Sequence, residues 1–123
     1  MIRGAVNSRD EAVVCLRVRG PGGSEVDVDA VVDSGFTASL ALPVTTVVAL
    51  GLARQSGGGA VLADGSVRLF DIYAAEVAWD GGWRPVLVSA VGAEALLGMR
   101  LLAGHELRIA VVPGGAVEIT PLP

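Results

Sequence analysis

The sequence predicts a small all-β domain of short strands with one or two short helices, and three observations carry this prediction. Hydrophobic residues make up 52% of the 123 residues and charged residues only 18%, as in a folded chain. Valine and alanine dominate the apolar set, in short runs that glycines interrupt. Such runs favour strands over long helices. A chain of this length builds one core, so we expect a single domain over residues 1–123.

The N-terminal part of the chain predicts a hairpin. Residues 1–9 are mixed and polar, which indicates a loosely held arm or a strand that needs a partner. A first strand is predicted over 10–19, and Gly-Pro-Gly-Gly at 20–23 is a strong turn signal. Acidic and apolar residues then alternate over 24–32, the period of a strand with one buried face.

The next segment predicts a short strand followed by a short helix. The strand is expected within 37–42. Pro43 suits the first turn of a helix because its missing N–H would have no partner there. The helix over 44–50 would end at Gly51, a residue type that commonly terminates helices.

The remaining elements are predicted strands joined by glycine turns. Gly57–Gly59 is expected to be a flexible hinge, and Asp64-Gly65 between two apolar runs is the strongest hairpin signal in the chain. Residues 94–104 predict a buried segment passing into one or two helical turns, where Gly98 would permit a close backbone approach. Further strands are expected over 67–79, 83–90, 107–112 and 116–120.

Charge and cysteine content exclude several classes of function. The net charge is −4 and the nine basic residues, all arginines, form no cluster, so nucleic-acid binding is not expected. The acidic surface does not attract anionic lipid, and no apolar run is long enough to span a bilayer. Cys15 is the only cysteine, and we expect it to pack within a strand. We expect a cytoplasmic protein with no cofactor, no metal and no membrane partner.

One carboxylate, that of Asp33, is predicted to lie close to the hydrophobic core. Asp33 follows two valines of a predicted buried strand and precedes Ser34 and Gly35. A charge near a core costs desolvation free energy, so a carboxylate there is a candidate functional group. Asp33 is therefore a candidate functional residue. Because Asp, Ser and Gly are the commonest turn formers, the tripeptide taken alone favours an ordinary turn.

Other polar residues fit structural roles better. His105, the only histidine, follows a glycine and is expected to be a surface or cap residue, and no Ser/His/Asp triad suggests itself. Asp64 is expected to be a turn residue. Four further acids are expected on solvated strand faces: Asp27, Asp29, Asp71 and Glu76.

The order of short motifs resembles that of the retropepsin-like aspartic proteases, and among them the small prokaryotic members that read Asp-Thr-Gly-Phe. Residues 33–37 read Asp-Ser-Gly-Phe-Thr, 63–66 read Ala-Asp-Gly-Ser and 96–99 read Leu-Leu-Gly-Met. Leu42-Pro43 and Leu101-Leu102 also stand in the expected order. The likeness runs from about Val26 to the end of the chain.

The resemblance implies a closed barrel with a flap hairpin, and it assigns roles to individual residues. Asp33 would be the catalytic aspartate, Ser34 the hydroxyl residue that bonds across the dimer, and Gly35 the glycine whose backbone supports the carboxylate. The flap tip that closes over substrate would be Ala63, Asp64, Gly65 and Ser66. The residues supporting the catalytic loop would be Phe36, Thr37, Leu96, Leu97 and Gly98.

The chain departs from the family pattern at three positions. Phe36 replaces the alanine usual in viral members, Ala38 stands where glycine is common, and Ser34 replaces the commoner threonine. A bulky ring at Phe36 is expected to reshape or narrow the substrate cleft.

The implied reaction needs two carboxylates. Two that lie close together cannot both ionise, so they share one proton and supply both the base and the acid of peptide hydrolysis. Each chain carries one such motif, which implies a homodimeric aspartic endopeptidase with Asp33 near a two-fold axis and a peptide or protein substrate. The termini are expected to pair as edge strands across that dimer, as in viral members.

Two other hypotheses about the function stay open, because proteins that share a fold can differ in function. The chain could form a non-catalytic dimer that keeps the fold to bind peptides or assemble partners. It could also be a small β-barrel that binds an apolar ligand. The intact Asp33, Ser34 and Gly35 favour the enzyme.

Overall fold

A computed structural model describes residues 1–123, and the all-β prediction is confirmed, with 56% of the residues in strands and 9% in helices. Ten strands form one sheet. In chain order the elements are β1 (Ile2–Val6), β2 (Ala12–Arg19), β3 (Glu25–Val32), β4 (Leu40–Leu42), α1 (Val44–Leu50), β5 (Ala53–Val61), β6 (Val67–Trp79), β7 (Gly82–Ala90), β8 (Ala95–Leu97), α2 (Met99–Leu102), β9 (His105–Ile109) and β10 (Ala116–Pro121).

Six of the strands close into a barrel. They follow the order β6-β7-β4-β8-β3-β2, and β2 closes the ring by pairing with β6 through Val18 and Val77. Most neighbours are antiparallel, but β3 runs parallel to β8 and β4 runs parallel to β7. The interior is filled by side chains rather than open, which argues against a barrel that holds an apolar ligand. Its fully buried members include Leu40, Leu42, Val77, Val88 and Leu97.

Alternation along β2 shows how the sequence builds the barrel wall. Val14, Leu16 and Val18 point inward and are almost completely buried, whereas Cys15 and Arg17 point outward. Cys15 lies within a strand, as expected, but its position in the alternation exposes the thiol instead of packing it. Partial burial, followed by the nearby charges of Asp27 and Asp29, raises the pKa of that thiol. The reactive thiolate is therefore disfavoured.

The first helix begins and ends where the sequence predicts. Pro43 precedes α1, and Gly51 ends it in the left-handed conformation at φ 62° while donating its N–H to the carbonyl of Val48. Val47 and Leu50 bury the inner face of this helix against the barrel. Neither helix has the length and apolar character needed to cross a bilayer.

The glycine run at 57–59 is a strand and not the predicted hinge. These glycines lie in β5 opposite Leu69, Phe70 and Asp71 of β6. A Cβ at Gly58 would lie 2.9 Å from the Phe70 ring, so the aromatic side chain covers the bare backbone. Pairing with a remote strand therefore orders a segment whose local composition suggests flexibility.

The terminal strands are not free edges. β1 pairs with β10 on one side and β2 on the other, and β10 lies between β1 and β9. Residues 2–6 are thus a strand held within the chain. The termini thus pair with each other within one chain, and their pairing across a dimer stays a prediction.

His105 is largely buried and not a surface residue, and it contacts the carbonyl of Ala103, the C-cap residue of α2, in line with the cap alternative. Its side chain is 9% exposed, its Nε2 lies 2.7 Å from an oxygen of Asp80, and its Nδ1 lies 3.0 Å from the carbonyl of Ala103. The ring also meets Trp79 edge-on. These contacts tie the start of β9 to the turn between β6 and β7, a long-range role that the flanking glycine could not reveal.

Candidate active site

Asp33 lies at the point where β3 leaves the barrel, on a turn with fixed geometry. Its N–H donates to the carbonyl of Leu97 at 3.0 Å, and its own carbonyl accepts the N–H of Phe36 at 3.1 Å. Its carboxylate oxygen Oδ1 accepts the N–H of Gly35 at 2.9 Å. The other carboxylate oxygen has no hydrogen-bond partner in the chain. Backbone groups therefore orient the half-buried carboxylate and leave one oxygen free.

The Asp33 loop, residues 33–39, arches over the end of β8. This strand lies between β3 and β4, so Leu97 is opposite Val32 on one side and Leu40 on the other. The strand that delivers Asp33 and the strand that leads away from it are therefore held by the same neighbour. Leu97 is fully buried and Leu96 partly buried.

Three backbone hydrogen bonds pin this segment to the junction of β8 and α2. The N–H groups of Gly98, Met99 and Arg100 donate to the carbonyls of Ser39, Phe36 and Ala38 at 2.9, 2.8 and 3.3 Å. The predicted close approach at Gly98 is present. A Cβ there would lie 2.0 Å from the Ala38 carbonyl oxygen. The sequence does not reveal these roles of Ala38 and Ser39, because the two residues act through their backbone carbonyls and not through their side chains.

Phe36 packs onto the glycine junction. Its ring carbon Cδ2 lies 2.7 Å from the position that a Gly98 Cβ would occupy. The ring is half-buried, and it fills the space that the missing glycine side chain leaves. The Phe36 side chain thus supports the loop from the side of β8.

The tip of the loop is open to solvent in a single chain. Ser34, Gly35 and Thr37 are exposed, as is the neighbouring Met99. None of the main surface clefts is lined by Asp33 or its two following residues. One chain by itself therefore presents an oriented carboxylate without a surrounding binding groove.

The β5–β6 hairpin has the tip predicted from Asp64-Gly65. Gly65 adopts φ 84°, and Asp64 Oδ1 accepts hydrogen bonds from the Ser66 hydroxyl at 2.6 Å and the Ser66 N–H at 2.9 Å. These bonds, the hydroxyl first, hold the pKa of Asp64 below its usual range. The turn therefore keeps them at mildly acidic pH and loses them only as the pH falls through that lowered pKa. Ala63 completes the exposed tip.

The sides of the hairpin expose apolar residues. Val61, Val67 and Leu69 are 75%, 62% and 79% exposed, and Leu62 is 46% exposed. No hydrogen bond or ion pair joins the tip to the Asp33 loop. An apolar hairpin this exposed is suited to being covered by another molecule.

We expect the hairpin tip to exchange its amide hydrogens faster than the barrel. Residues 61–67 are held only by the hairpin's own ladder, whereas Val31 pairs with strands on both sides and Val32 pairs with Leu97 of β8. Hydrogen exchange followed by mass spectrometry or NMR measures the difference. Exchange at Gly65 as slow as at Val32 would contradict a mobile flap.

Asp27, Asp29 and Asp71 are exposed on their strands, as predicted, whereas Glu76 is half-buried. Asp27, Asp71 and Glu76 pair with Arg17, Arg54 and Arg19 respectively. No group of three or more His, Cys, Asp or Glu side chains is arranged to hold a metal ion. Comparison with known protein families, with curated proteins and with solved structures finds no match to this chain.

Proposed function

We propose that this chain is a retropepsin-like aspartic endopeptidase that acts as a homodimer. The proposal rests on the geometry of the Asp33 loop. A carboxylate with one oxygen held by Gly35 and one oxygen free projects from a turn that β8 and Gly98 clamp from behind. An ordinary turn needs no such support from three strands.

The proposed chemistry uses the pair of Asp33 side chains. One carboxylate takes a proton from water as the water attacks the peptide carbonyl, and the protonated carboxyl of the other copy polarises that carbonyl. The departing amine then receives a proton from the pair. The Gly35 N–H keeps Oδ1 in place throughout, so the free oxygen faces the water.

The open surroundings of Asp33 support the dimer. A single chain has an exposed loop tip and no groove around it, so a second copy is needed both for the second carboxylate and for the walls of a substrate cleft. Ser34 has no hydrogen-bond partner within its own chain, and its hydroxyl is available to a partner across the axis. The exposed apolar hairpin would close over the bound peptide.

A second candidate is a dimer that binds peptides without cutting them. The exposed apolar sides of the hairpin favour this reading, since they suit peptide binding whether or not chemistry follows. The two candidates differ in one respect, which is turnover.

The test is cleavage of a peptide library by the purified protein across the pH range. We expect a bell-shaped profile on the acidic side of neutral, because the pair works only while it holds one proton. Specific activity should fall on dilution as the dimer dissociates, and metal chelators should have no effect. A flat profile or inhibition by chelators would point to other chemistry, and a folded dimer that cuts nothing would favour the peptide-binding reading.

A further inference from the structure

Strand β9 leaves one side open at the end of the ten-stranded sheet. It pairs with β10 and with no other strand. The other edge strand, β5, is rich in glycine, carries an irregularity near Arg54, and has its only charge paired with Asp71. An unpaired edge presents a row of free N–H and C=O groups to another chain. Of the two edges, β9 is the one with charges suited to such a partner.

The ladder shows which groups of β9 are free. Gly104 accepts the N–H of Leu122, and Ala110 donates to the carbonyl of Ala116, so these even-numbered residues bond towards β10. Hydrogen-bonded and non-bonded residues alternate in an antiparallel pair. The residues that direct N–H and C=O to the open side are therefore His105, Leu107 and Ile109.

We propose that two copies of this chain associate by antiparallel pairing of their β9 strands, with Leu107 on the two-fold axis. In this register each Leu107 exchanges both backbone hydrogen bonds with its counterpart. His105 does the same with Ile109 of the partner subunit. Every free backbone group of the edge then finds a partner, and the contact is isologous, as a two-fold dimer requires.

The charges on the outer face select this register. Glu106 and Arg108 are 56% and 74% exposed and lie two residues apart on one face of the strand, where a long contact of 3.5 Å joins them within the chain. Centring the pair on Leu107 places Glu106 opposite Arg108 of the partner subunit, and the axis repeats the contact. These are non-hydrogen-bonded positions, where facing side chains come closest. Two charges of the same sign would repel a second copy, whereas this sequence is complementary to itself.

Exposed apolar side chains adjoin the edge. Ile109 is 36% exposed, and Val111 and Val112, which follow directly, are 63% and 57% exposed. A second copy would cover part of this surface. The proposal needs no catalytic role for Asp33.

Charge reversal tests the edge. Glu106→Arg makes both facing pairs repulsive, and we expect the dimer dissociation constant, measured by sedimentation velocity over a concentration series, to rise about tenfold or more. The double exchange Glu106→Arg with Arg108→Glu restores opposite charges and should restore the wild-type constant. Glu25→Arg changes the net charge equally on the distant β2–β3 hairpin and should leave the dimer unchanged.

A backbone variant gives a second readout. Ile109→Pro removes an N–H that faces the open side and has no partner within the chain, so it should weaken the dimer while thermal unfolding remains cooperative. If Glu106→Arg does not fold, Ile109→Pro and the double exchange still test the β9 contact. A wild-type protein that stays monomeric at high concentration, or a dimer that these variants leave unchanged, would overturn the proposal.

The same samples separate this proposal from the proposed activity. A dimer that depends on β9 but cuts no peptide would refute the protease and leave the edge contact standing. Variants that remain dimeric and fully active would refute the edge contact and leave the protease standing.

Discussion

Asp33→Asn is expected to abolish peptide hydrolysis while the fold and the dimer remain intact. Asparagine has nearly the same size, and its carboxamide oxygen can still accept the Gly35 N–H that orients Oδ1. It cannot take a proton from water, so the pair loses its base. Removing a general base typically lowers the rate by about 10²–10⁴-fold. Turnover of the best library peptide measures the loss, and circular dichroism verifies the fold.

Asp27→Asn is the matched control for this experiment. It makes the same chemical change on the same strand, but on the outer face where Asp27 pairs with Arg17. The Arg17 guanidinium hydrogen-bonds this carboxylate and lowers the pKa of Asp27, yet both groups lie at the surface and far along β3 from the turn. We expect hydrolysis to remain near the wild-type rate.

Mixing wild-type and Asp33→Asn chains tests whether the two carboxylates act together. If each active site needs one Asp33 from each copy, activity should fall faster than in proportion to the wild-type fraction. A proportional fall would show that each chain acts alone. An Asp33→Asn protein within about tenfold of the wild-type turnover would place the chemistry elsewhere.

The elements that the sequence predicts well are those fixed by nearby residues. Pro43 and Gly51 bound α1 because both act within one helical turn, and Asp64-Gly65 closes its hairpin through bonds that span only Leu62 to Ser66. The alternation of β3 predicts its buried face for the same reason. Each of these signals is read over a few consecutive positions.

The predictions that failed depend on residues far apart in the chain. Gly57–Gly59 is ordered by β6, and His105 is buried by its contacts with Trp79 and Asp80. Residues 2–6 form the strand that needs a partner, one of the two alternatives expected there, and β10 at the other end of the chain supplies that partner. Local composition says nothing about such partners. A glycine run or an isolated histidine therefore looks mobile or exposed until the barrel brings its neighbours together.

In the candidate site, too, the sequence predicts the features that depend on nearby residues and misses those that depend on distant ones. Asp33 is visible in the sequence because a charge at the end of an apolar strand is unusual. Gly98 is visible because glycine after a buried strand indicates a close approach. Neither signal identifies the carbonyls of Ala38 and Ser39, on which the clamp depends.

Gly98→Ala is expected to disrupt the hydrogen bonds that hold residues 33–39 against the junction of β8 and α2. Both the stability of the fold and the activity should fall. The backbone at Gly98 has φ −98°, which any residue adopts, so the cost is steric. The new methyl would lie 2.0 Å from the Ala38 carbonyl oxygen and 2.7 Å from the Phe36 ring, and the carbonyl is backbone that cannot rotate away. Overpacking of this kind costs about 1–3 kcal/mol of unfolding free energy, which urea denaturation measures.

The activity loss should exceed what unfolding explains. Moving the 33–39 segment away from β8 displaces the Asp33 carboxylate, and a shift of about 1 Å can lower turnover about 10²-fold. Gly22→Ala is the control, because a Cβ there meets nothing within 4 Å. Adding Phe36→Ala to Gly98→Ala should recover only part of the stability, since the Ala38 carbonyl still meets the methyl. Wild-type stability and turnover in Gly98→Ala would mean that the close approach does not hold the loop, and the observation on which the proposed function rests would lose its support.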